Sequence, residues 1–454
     1  MRVAIVLLFA ATPLIAQQAP PQDDLTIYQI VDAVSAQRIE SDIRTLVSFG
    51  TRHTLSDTLS PTRGIGAARR WIKAEFDRIS AACGGCLEVF YVSEIYPAGA
   101  RRLRESEETN IANVVAIQRG TSDPNRMVMM SGDIDSRISN AMNFTDSAPG
   151  ANDNASGMAG TIEAARVLTR YQFNGSIVYL GLSGEEQGLY GGHTVARMAV
   201  DSGWNVQAVL NNDMIGNIEG ISGVIENTTA RVFSDGTPPT ETEQERGLRR
   251  FAGGEVDGVS RQLARYVDRT ADQYVPDLDV MMIYRLDRFG RGGHHRPFAD
   301  VGFPAVRIME THENYNRQHQ DIRVESGIAY GDVLEGVDFE YAAKLTALNA
   351  ATLAALAWAP GPPANVRICG AARPAARLAW DPPTDSATVA GYRVYWRLTD
   401  SPSWDDGRWV GNVTGHTFDG LVIDNYFFGI AAVGADGNES AVVFPRRPRR
   451  GERC

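Results

Sequence analysis

Residues 127–135 (MVMMSGDID) form an apolar run that ends in two aspartates. Two further stretches repeat this arrangement: residues 177–186 (IVYLGLSGEE) end in paired glutamates, and residues 206–213 (VQAVLNND) end in an aspartate. Short, nearly continuous apolar runs are typical of strands that are buried on both faces of a parallel sheet. The carboxyl ends of such strands share one edge, where α/β proteins bind their ligands. The sequence therefore predicts that acidic side chains gather at one edge of the sheet.

Helical patterns alternate with these strands. Apolar residues recur at helical spacing over residues 157–171 and 188–202, and a long helix is predicted over residues 338–358. This alternation predicts an α/β fold with a mostly parallel central sheet and helices on both faces. Residues 217–294 mix polar turns with a helical stretch, and we expect them to form an insert of a helix and loops before the last strand, residues 305–309.

The composition changes after residue 358. Residues 359–364 (APGPPA) are typical of a linker, and they separate a predicted α/β domain at 17–358 from a C-terminal domain at 365–446. The C-terminal part has short strands with regular turn signals, which predicts an all-β sandwich. The residues WDPP (380–383) and YRVY (392–395) resemble a fibronectin type III domain. The resemblance implies a module that binds a surface or a protein partner.

The first 16 residues are predicted to be a signal peptide. Met1 and Arg2 are followed by an apolar run over residues 3–16. The run is shorter than the ~20 apolar residues that a membrane-spanning helix needs. We therefore expect cleavage after Ala16 and a mature protein that is periplasmic or secreted, with no membrane span.

Charge and cysteine content agree with an exported protein better than with a nucleic-acid-binding protein. The chain has 44 Lys and Arg against 55 Asp and Glu, a net charge of −11, which disfavours binding to a phosphate backbone. Four cysteines suit an oxidising compartment. The pairs Cys83–Cys86 and Cys369–Cys454 are favoured, although spacing alone does not determine connectivity.

The predicted acidic edge indicates a metal site. A fourth acid, Asp153, lies in the Gly/Asn-rich turn 149–157 that leads into a predicted helix. Single acids after strands often cap helices, but acids at successive strand ends are harder to explain in that way. Carboxylates that converge repel one another unless a cation compensates them, and oxygen-rich sites with one or two histidines suit divalent metals.

Five ordered motifs resemble the co-catalytic zinc peptidases, which include bacterial aminopeptidases, glutamate carboxypeptidase and the related glutaminyl cyclases. The resemblance spans roughly residues 30–358. The motifs are SGDIDS (131–136), PGANDNASG (149–157), SGEEQGLYG (183–191), NNDMIG (211–216) and NRQHQD (316–321).

The resemblance implies a role for each matched residue. Asp153 matches a carboxylate that bridges two divalent metal ions, with zinc the first candidate. Glu186 and His319 match further ligands of one ion, and Asp213 matches a ligand of the other. Glu185 matches the general base that takes a proton from a metal-bridged water.

Two more acids complete the implied site. Asp135 matches a carboxylate behind the metal ligands. Asp133 stands where the family has a metal-binding histidine, because the chain has GDIDS in place of GHxDS. A carboxylate can still bind zinc, but the second site would then be all oxygen, formed by Asp133, Asp153 and Asp213. That site could hold a different ion or none.

The resemblance implies a metallopeptidase that acts on peptides, and we expect an exopeptidase of the aminopeptidase type. The alternatives are a carboxypeptidase, a glutaminyl cyclase-like enzyme, or an inactive peptide-binding relative in which Asp133 has abolished the second metal site. Arg137 or Arg296 could bind a terminal carboxylate in a carboxypeptidase. His295, in GGHHRPF (292–298), is expected to lie behind the ligands or to contact substrate.

Overall fold

The larger, N-terminal part of the protein is built on an eight-stranded sheet. The computed structural model describes residues 18–449, 451–452 and 454, so the predicted signal peptide lies outside the described residues. The strands of this sheet are β1 (Leu87–Tyr96), β2 (Thr109–Gln118), β3 (Asp123–Asp133), β4 (Gly175–Leu182), β5 (Asn205–Asn212), β6 (Thr229–Ser234), β7 (Asp279–Ile283) and β8 (Ala305–Glu310). They are arranged in the order β1-β2-β4-β3-β5-β8-β6-β7.

The centre of the sheet is parallel, as the apolar runs predict. Strand β3 pairs in parallel with β4 and β5, and β5 pairs in parallel with β8. Antiparallel pairs join β1 to β2, β2 to β4 and β6 to β8. The α/β fold with a mostly parallel central sheet is therefore confirmed. Because β3, β4 and β5 are adjacent and run in the same direction, their carboxyl ends meet at one edge.

Helices cover both faces of the sheet. Alternate side chains of a central strand therefore pack in two separate hydrophobic clusters, one on each face. On β3, Val128 and Met130 pack in one cluster, whereas Met127 and Met129 pack in the other. The helices are α1 (Leu25–Ala33), α2 (Ala36–Ser48), α3 (Gly64–Ala82), α4 (Ala155–Leu168), α5 (Glu185–Gly188), α6 (Tyr190–Asp201), α7 (Glu243–Ala252), α8 (Val259–Tyr274), α9 (His295–Asp300) and α10 (Phe339–Trp358).

The predicted long helix is α10, which packs against α4, α1 and α8. Asp338 caps its first turn, because its side chain accepts a hydrogen bond from the backbone N–H of Tyr341 at 2.8 Å. None of the helices in the described part of the chain is long and apolar enough to span a membrane.

The insert contains more regular structure than a helix and loops. Two of its segments, β6 and β7, join the central sheet, and α7 precedes α8. Both strands are short, and β7 lies at the edge of the sheet with alternate residues exposed, so neither has the continuous apolar run that marks β3 or β4. Strand β1, also an edge strand with a half-exposed pattern, escaped the sequence analysis for the same reason.

A small hairpin, β9 (Arg323–Glu325) and β10 (Ile328–Tyr330), follows β8. The C-terminal part forms two three-stranded antiparallel sheets with a buried core around Trp380. Its strands are β11 (Ala364–Cys369), β12 (Ala375–Asp381), β13 (Gly391–Leu398), β14 (Asp406–Gly411), β15 (Gly415–Asp419) and β16 (Tyr426–Val433). The fibronectin type III assignment remains a prediction. The structure contains both favoured disulfides, Cys83–Cys86 and Cys369–Cys454.

Candidate active site

The acidic residues lie where the ends of the central strands meet. Asp133 is the last residue of β3, and Asp213 directly follows β5. The paired glutamates begin α5, and two residues separate that helix from the end of β4. Asp153 lies in the loop before α4, and its peptide bond to Asn154 is cis. His319 lies in the loop after β8, with a left-handed φ of 55° that is uncommon for a non-glycine residue.

Three predicted ligands converge at this edge. His319 Nε2 lies 2.9 Å from Asp153 Oδ2 and 2.9 Å from Glu186 Oε1. One ligand atom from each of the three residues lies within 4.8 Å of the others. The His319 side chain remains 19% exposed, so the site is open to solvent on one side.

The electrostatics of this cluster favour a positive charge at its centre. Burial lowers the pKa of the His319 ring, but Glu186 and Asp153 outweigh it and raise this pKa to about 9. Arg137 lies beside the cluster, with Nε donating to Glu186 Oε2 at 2.7 Å and Nη2 at 2.6 Å from His319 Nδ1. Burial raises the pKa of Glu186, yet His319 and Arg137 together hold it below its ordinary value.

These three side chains fit a catalytic zinc ion. Two carboxylate oxygens and one imidazole nitrogen are donors that zinc accepts, and catalytic zinc sites commonly have three protein ligands with an open fourth position. The partial exposure of His319 leaves room for that open position. Asp153, Glu186 and His319 would hold the ion.

Asp135 accepts hydrogen bonds from the backbone of the turn that carries the paired glutamates. Its Oδ1 accepts hydrogen bonds from the backbone N–H groups of Gly184 and Glu185, at 2.9 and 3.2 Å. Its Oδ2 accepts from the N–H of Glu186 at 3.1 Å and from the Thr54 hydroxyl at 3.0 Å. Asp135 therefore fixes the turn from which both glutamates project.

The two glutamates have different electrostatic neighbours. Glu186 interacts with His319 and Asp153, whereas Glu185 interacts with Asp213 as well as with Glu186. Burial, followed by repulsion from Glu186 and Asp213, raises the pKa of the Glu185 carboxyl well above its ordinary value. A carboxyl group whose pKa is raised toward neutrality is suited to exchange protons.

The second predicted metal site does not assemble. Among the described residues, Asp153, Glu186 and His319 form the only group of three or more potential ligands that converge, so Asp133 and Asp213 are not drawn together around Asp153. His294 Nδ1 lies 2.5 Å from Asp133 Oδ1, and Arg307 forms an ion pair with Asp213 at 2.8 Å. These residues do not fit a second zinc ion in this arrangement.

The second histidine of GGHHRPF points elsewhere. His295 is fully buried, with Nε2 2.7 Å from the carbonyl oxygen of Leu286 and 3.5 Å from Asp287. It is His294 that contacts Asp133, because the start of α9 turns successive side chains to different sides.

Sequence analysis did not place Arg307 in the site. A signal was present, because Arg307 interrupts the otherwise apolar start of β8, AVRIM (305–309). A charged residue in a strand buried on both faces requires a buried partner.

Comparisons with known proteins identify the family. The model of peptidase family M28 matches residues 113–325, a range that includes the six acids of the cleft and His319. A "probable zinc metalloprotease" of Leptosphaeria maculans is 42% identical over 426 residues, covering 94% of this chain and 98% of that protein. One of Pyrenophora teres f. teres is 42% identical over 429 residues, covering 94% and 87% of the two chains.

Solved structures with the same fold include two proteins of Legionella pneumophila. The aminopeptidase LapA is 18% identical with a TM-score of 0.53, covering 76% of this chain and 78% of that chain. LapB is 19% identical with a TM-score of 0.51, covering 74% and 77%. At such identities the likeness shows the fold alone, whereas the sequence relatives show the family. The chain therefore belongs to peptidase family M28 and is a zinc-dependent metallopeptidase.

Proposed function

We propose that this metallopeptidase is an aminopeptidase, which releases N-terminal residues from peptides. The observation that carries the proposal is the convergence of Asp153, Glu186 and His319 beside the carboxyl group of Glu185. A zinc ion in this site supplies Lewis acidity, which polarises a carbonyl group and makes water more acidic.

Glu185 is the proton-transferring residue in this proposal. It accepts the proton of the attacking water and returns it to the leaving amine. Asp135 holds the backbone of Glu185 and Glu186 together, so that the two carboxyl groups keep their separate orientations. The raised pKa of Glu185 favours acceptance of the proton from water, and a cation nearby lowers this pKa and so favours release of the proton to the amine.

The charge of the cleft supports an N-terminal rather than a C-terminal substrate end. Carboxyl groups outnumber cationic side chains at this edge of the sheet, and an excess of negative charge attracts a substrate ammonium group. The fold relative LapA is named an aminopeptidase.

One observation favours a carboxypeptidase as the second candidate. The Arg137 guanidinium group lies within hydrogen-bonding distance of both Glu186 and His319, and its side chain is 19% exposed. A guanidinium group beside the reacting centre is suited to bind a terminal carboxylate.

We also propose that the protein is exported, in the periplasm or outside the cell. The disulfides Cys83–Cys86 and Cys369–Cys454 support an oxidising compartment.

Glu185→Gln tests the catalytic part of the proposal. We expect hydrolysis of a peptide with a free N-terminus to fall ~10²–10⁴-fold, which is the usual contribution of a general base. Zinc content should be unchanged, because Glu185 is not one of the three converging ligands. The exposed Glu88, on β1, provides a matched Glu→Gln control that should keep full activity.

Blocked substrates test the choice of terminus. An aminopeptidase loses activity when the peptide is N-acetylated and keeps it when the C-terminus is amidated, whereas a carboxypeptidase shows the reverse.

Unchanged hydrolysis by Glu185→Gln with full zinc would contradict the assigned role of Glu185.

A further inference from the structure

On one side of the cleft the Asp133 carboxyl group is bonded within the protein, whereas His294 Nε2 has no hydrogen-bond partner among the described residues. Asp133 Oδ1 contacts His294 Nδ1 at 2.5 Å, and Asp133 Oδ2 accepts a hydrogen bond from the Asn154 amide at 2.8 Å. Both carboxyl oxygens therefore already have a partner. His294 is fully buried, and Gly192 on α6 makes this possible, since a Cβ atom at position 192 would lie 2.7 Å from the imidazole ring.

Asp213 is likewise compensated by a positive charge of the protein. Arg307 is fully buried, and its Nη2 lies 2.8 Å from Asp213 Oδ2. Its Nη1 donates to the carbonyl oxygen of Gly292 at 2.8 Å and lies 3.3 Å from Asp287 Oδ2. A guanidinium group stays protonated at all physiological pH values, so this charge is permanent.

The backbone is shaped to admit this guanidinium group. Position 293 is a glycine, and a Cβ atom there would lie 3.0 Å from Arg307 Nη1 and 3.1 Å from Asn211 Oδ1. In the register of β8 with β5, Arg307 is paired opposite Asn211. Asn211 is two residues before Asp213 in the sequence. The contact between Arg307 and Asp213 is therefore set by the sheet itself and not by a flexible loop.

A second divalent ion would be disfavoured here for two reasons. Its ligands would have to give up the partners that they already have, and its charge would lie close to a buried guanidinium group in a medium of low dielectric constant. The cluster of Asp153, Glu186 and His319 differs, because three potential ligands face one another across a shared centre.

We propose that the protein binds one zinc ion per chain, at Asp153, Glu186 and His319, and that the charge of Arg307 takes the place of a second ion while Asp133 stays bonded to the His294 ring. This inference rests on the proposed function at the first site. Arg307 then acts as a positioning residue that holds Asp213. Its guanidinium group supplies the positive charge beside Asp213 that a second metal ion would otherwise supply.

Zinc stoichiometry tests the proposal without relying on activity. The full-length protein is loaded with excess zinc, dialysed, and analysed for zinc per chain by elemental mass spectrometry, with calorimetric zinc titration of the metal-free protein. We expect one ion per chain and one binding step. Two ions per chain would overturn this inference and leave the proposed function intact, whereas no bound zinc would overturn both.

Matched Asp→Asn variants separate the two sides of the cleft. Asp153→Asn should lose stoichiometric zinc binding, while Asp133→Asn and Asp213→Asn should still bind one ion per chain. Loss of the single bound ion in Asp133→Asn or Asp213→Asn would overturn the assignment.

Arg307→Met tests the role of the guanidinium group. With Asp213 released, we expect a second, weaker zinc-binding step in a variant that keeps its circular dichroism spectrum. A folded variant with a single unchanged step would overturn the role of Arg307. If the variant does not fold, the ion count of the unmodified protein and of Asp213→Asn decides the question.

Discussion

The cleft and the junction between the two parts of the chain both bury carboxylates, but they compensate them differently. At the junction, Asp257 is fully buried between Arg265 of α8 and Arg397 of β13, with contacts of 2.8 to 2.9 Å. Glu439 is bonded in the same region by Arg393 at 2.7 Å. Protein cations thus neutralise Asp257 and Glu439, as a structural ion-pair network requires.

In the cleft the acids outnumber the cations. The carboxyl groups are those of Asp133, Asp135, Asp153, Glu185, Glu186 and Asp213, and the cations that face them are Arg137, Arg307 and His319. His294 also contacts Asp133, but burial lowers the pKa of its ring to about 4. Buried acids alone therefore do not indicate a metal site. The informative feature is a set of acids for which the fold supplies too few counter-charges.

The largest expected effect comes from removing a zinc ligand. His319→Ala should weaken zinc binding by more than ~100-fold, because even residues behind a ligand typically contribute 10–100-fold. Peptide hydrolysis should fall to the background level. Zinc per chain and hydrolysis are measured on the same preparation, and His312→Ala provides a matched control outside the ligand cluster. Full zinc content in His319→Ala would contradict the inference that the cleft, unlike the junction, is a zinc site.

The junction should respond in stability and not in zinc content. Asp257→Asn leaves two buried guanidinium groups without a charged partner, which typically costs about 3–5 kcal/mol. The free energy of unfolding is measured by urea denaturation of the zinc-loaded protein. Glu243→Gln, which breaks an exposed pair with Arg246, should cost less than about 1 kcal/mol. Equal effects of the two variants would contradict the structural role of Asp257.

A smaller, pH-dependent effect is expected from a junction acid that is less well compensated. Burial, with repulsion from Asp272 and Asp279, raises the pKa of Asp268 to about 6, although the hydroxyl of Ser403 opposes this. The folded state therefore binds the proton more tightly than the unfolded state, so this carboxyl group reduces stability increasingly as the pH rises from about 4 to about 6.

Asp268→Asn should remove this pH dependence. We expect the variant to gain on the order of 1 kcal/mol at pH 7, after allowance for the partial exposure of the side chain, and to match the unmodified protein near pH 4. Urea denaturation at several pH values measures both. A variant that is less stable at pH 7 would show that the charged form of Asp268 stabilises the junction.

The central sheet was predictable because its signal is local. Strands buried on both faces carry continuous apolar runs, so β3, β4 and β5 were identified with the acids at their ends. The edge strands β1 and β7 and the short strand β6 lack such runs, and they were missed because their assignment depends on neighbours far away in the sequence.

Motif order and apolar patterning are properties of the chain, so the family, the α/β fold and the candidate residues of the site could be predicted from them. Which of those residues converge depends on the folded arrangement. It paired Asp133 with His294 and Asp213 with Arg307, and it left Asp153, Glu186 and His319 facing one another. Charge compensation is a matter of distance in space, and residues up to 186 positions apart in the sequence, such as Asp133 and His319, are sorted into one cluster or another only when the chain folds.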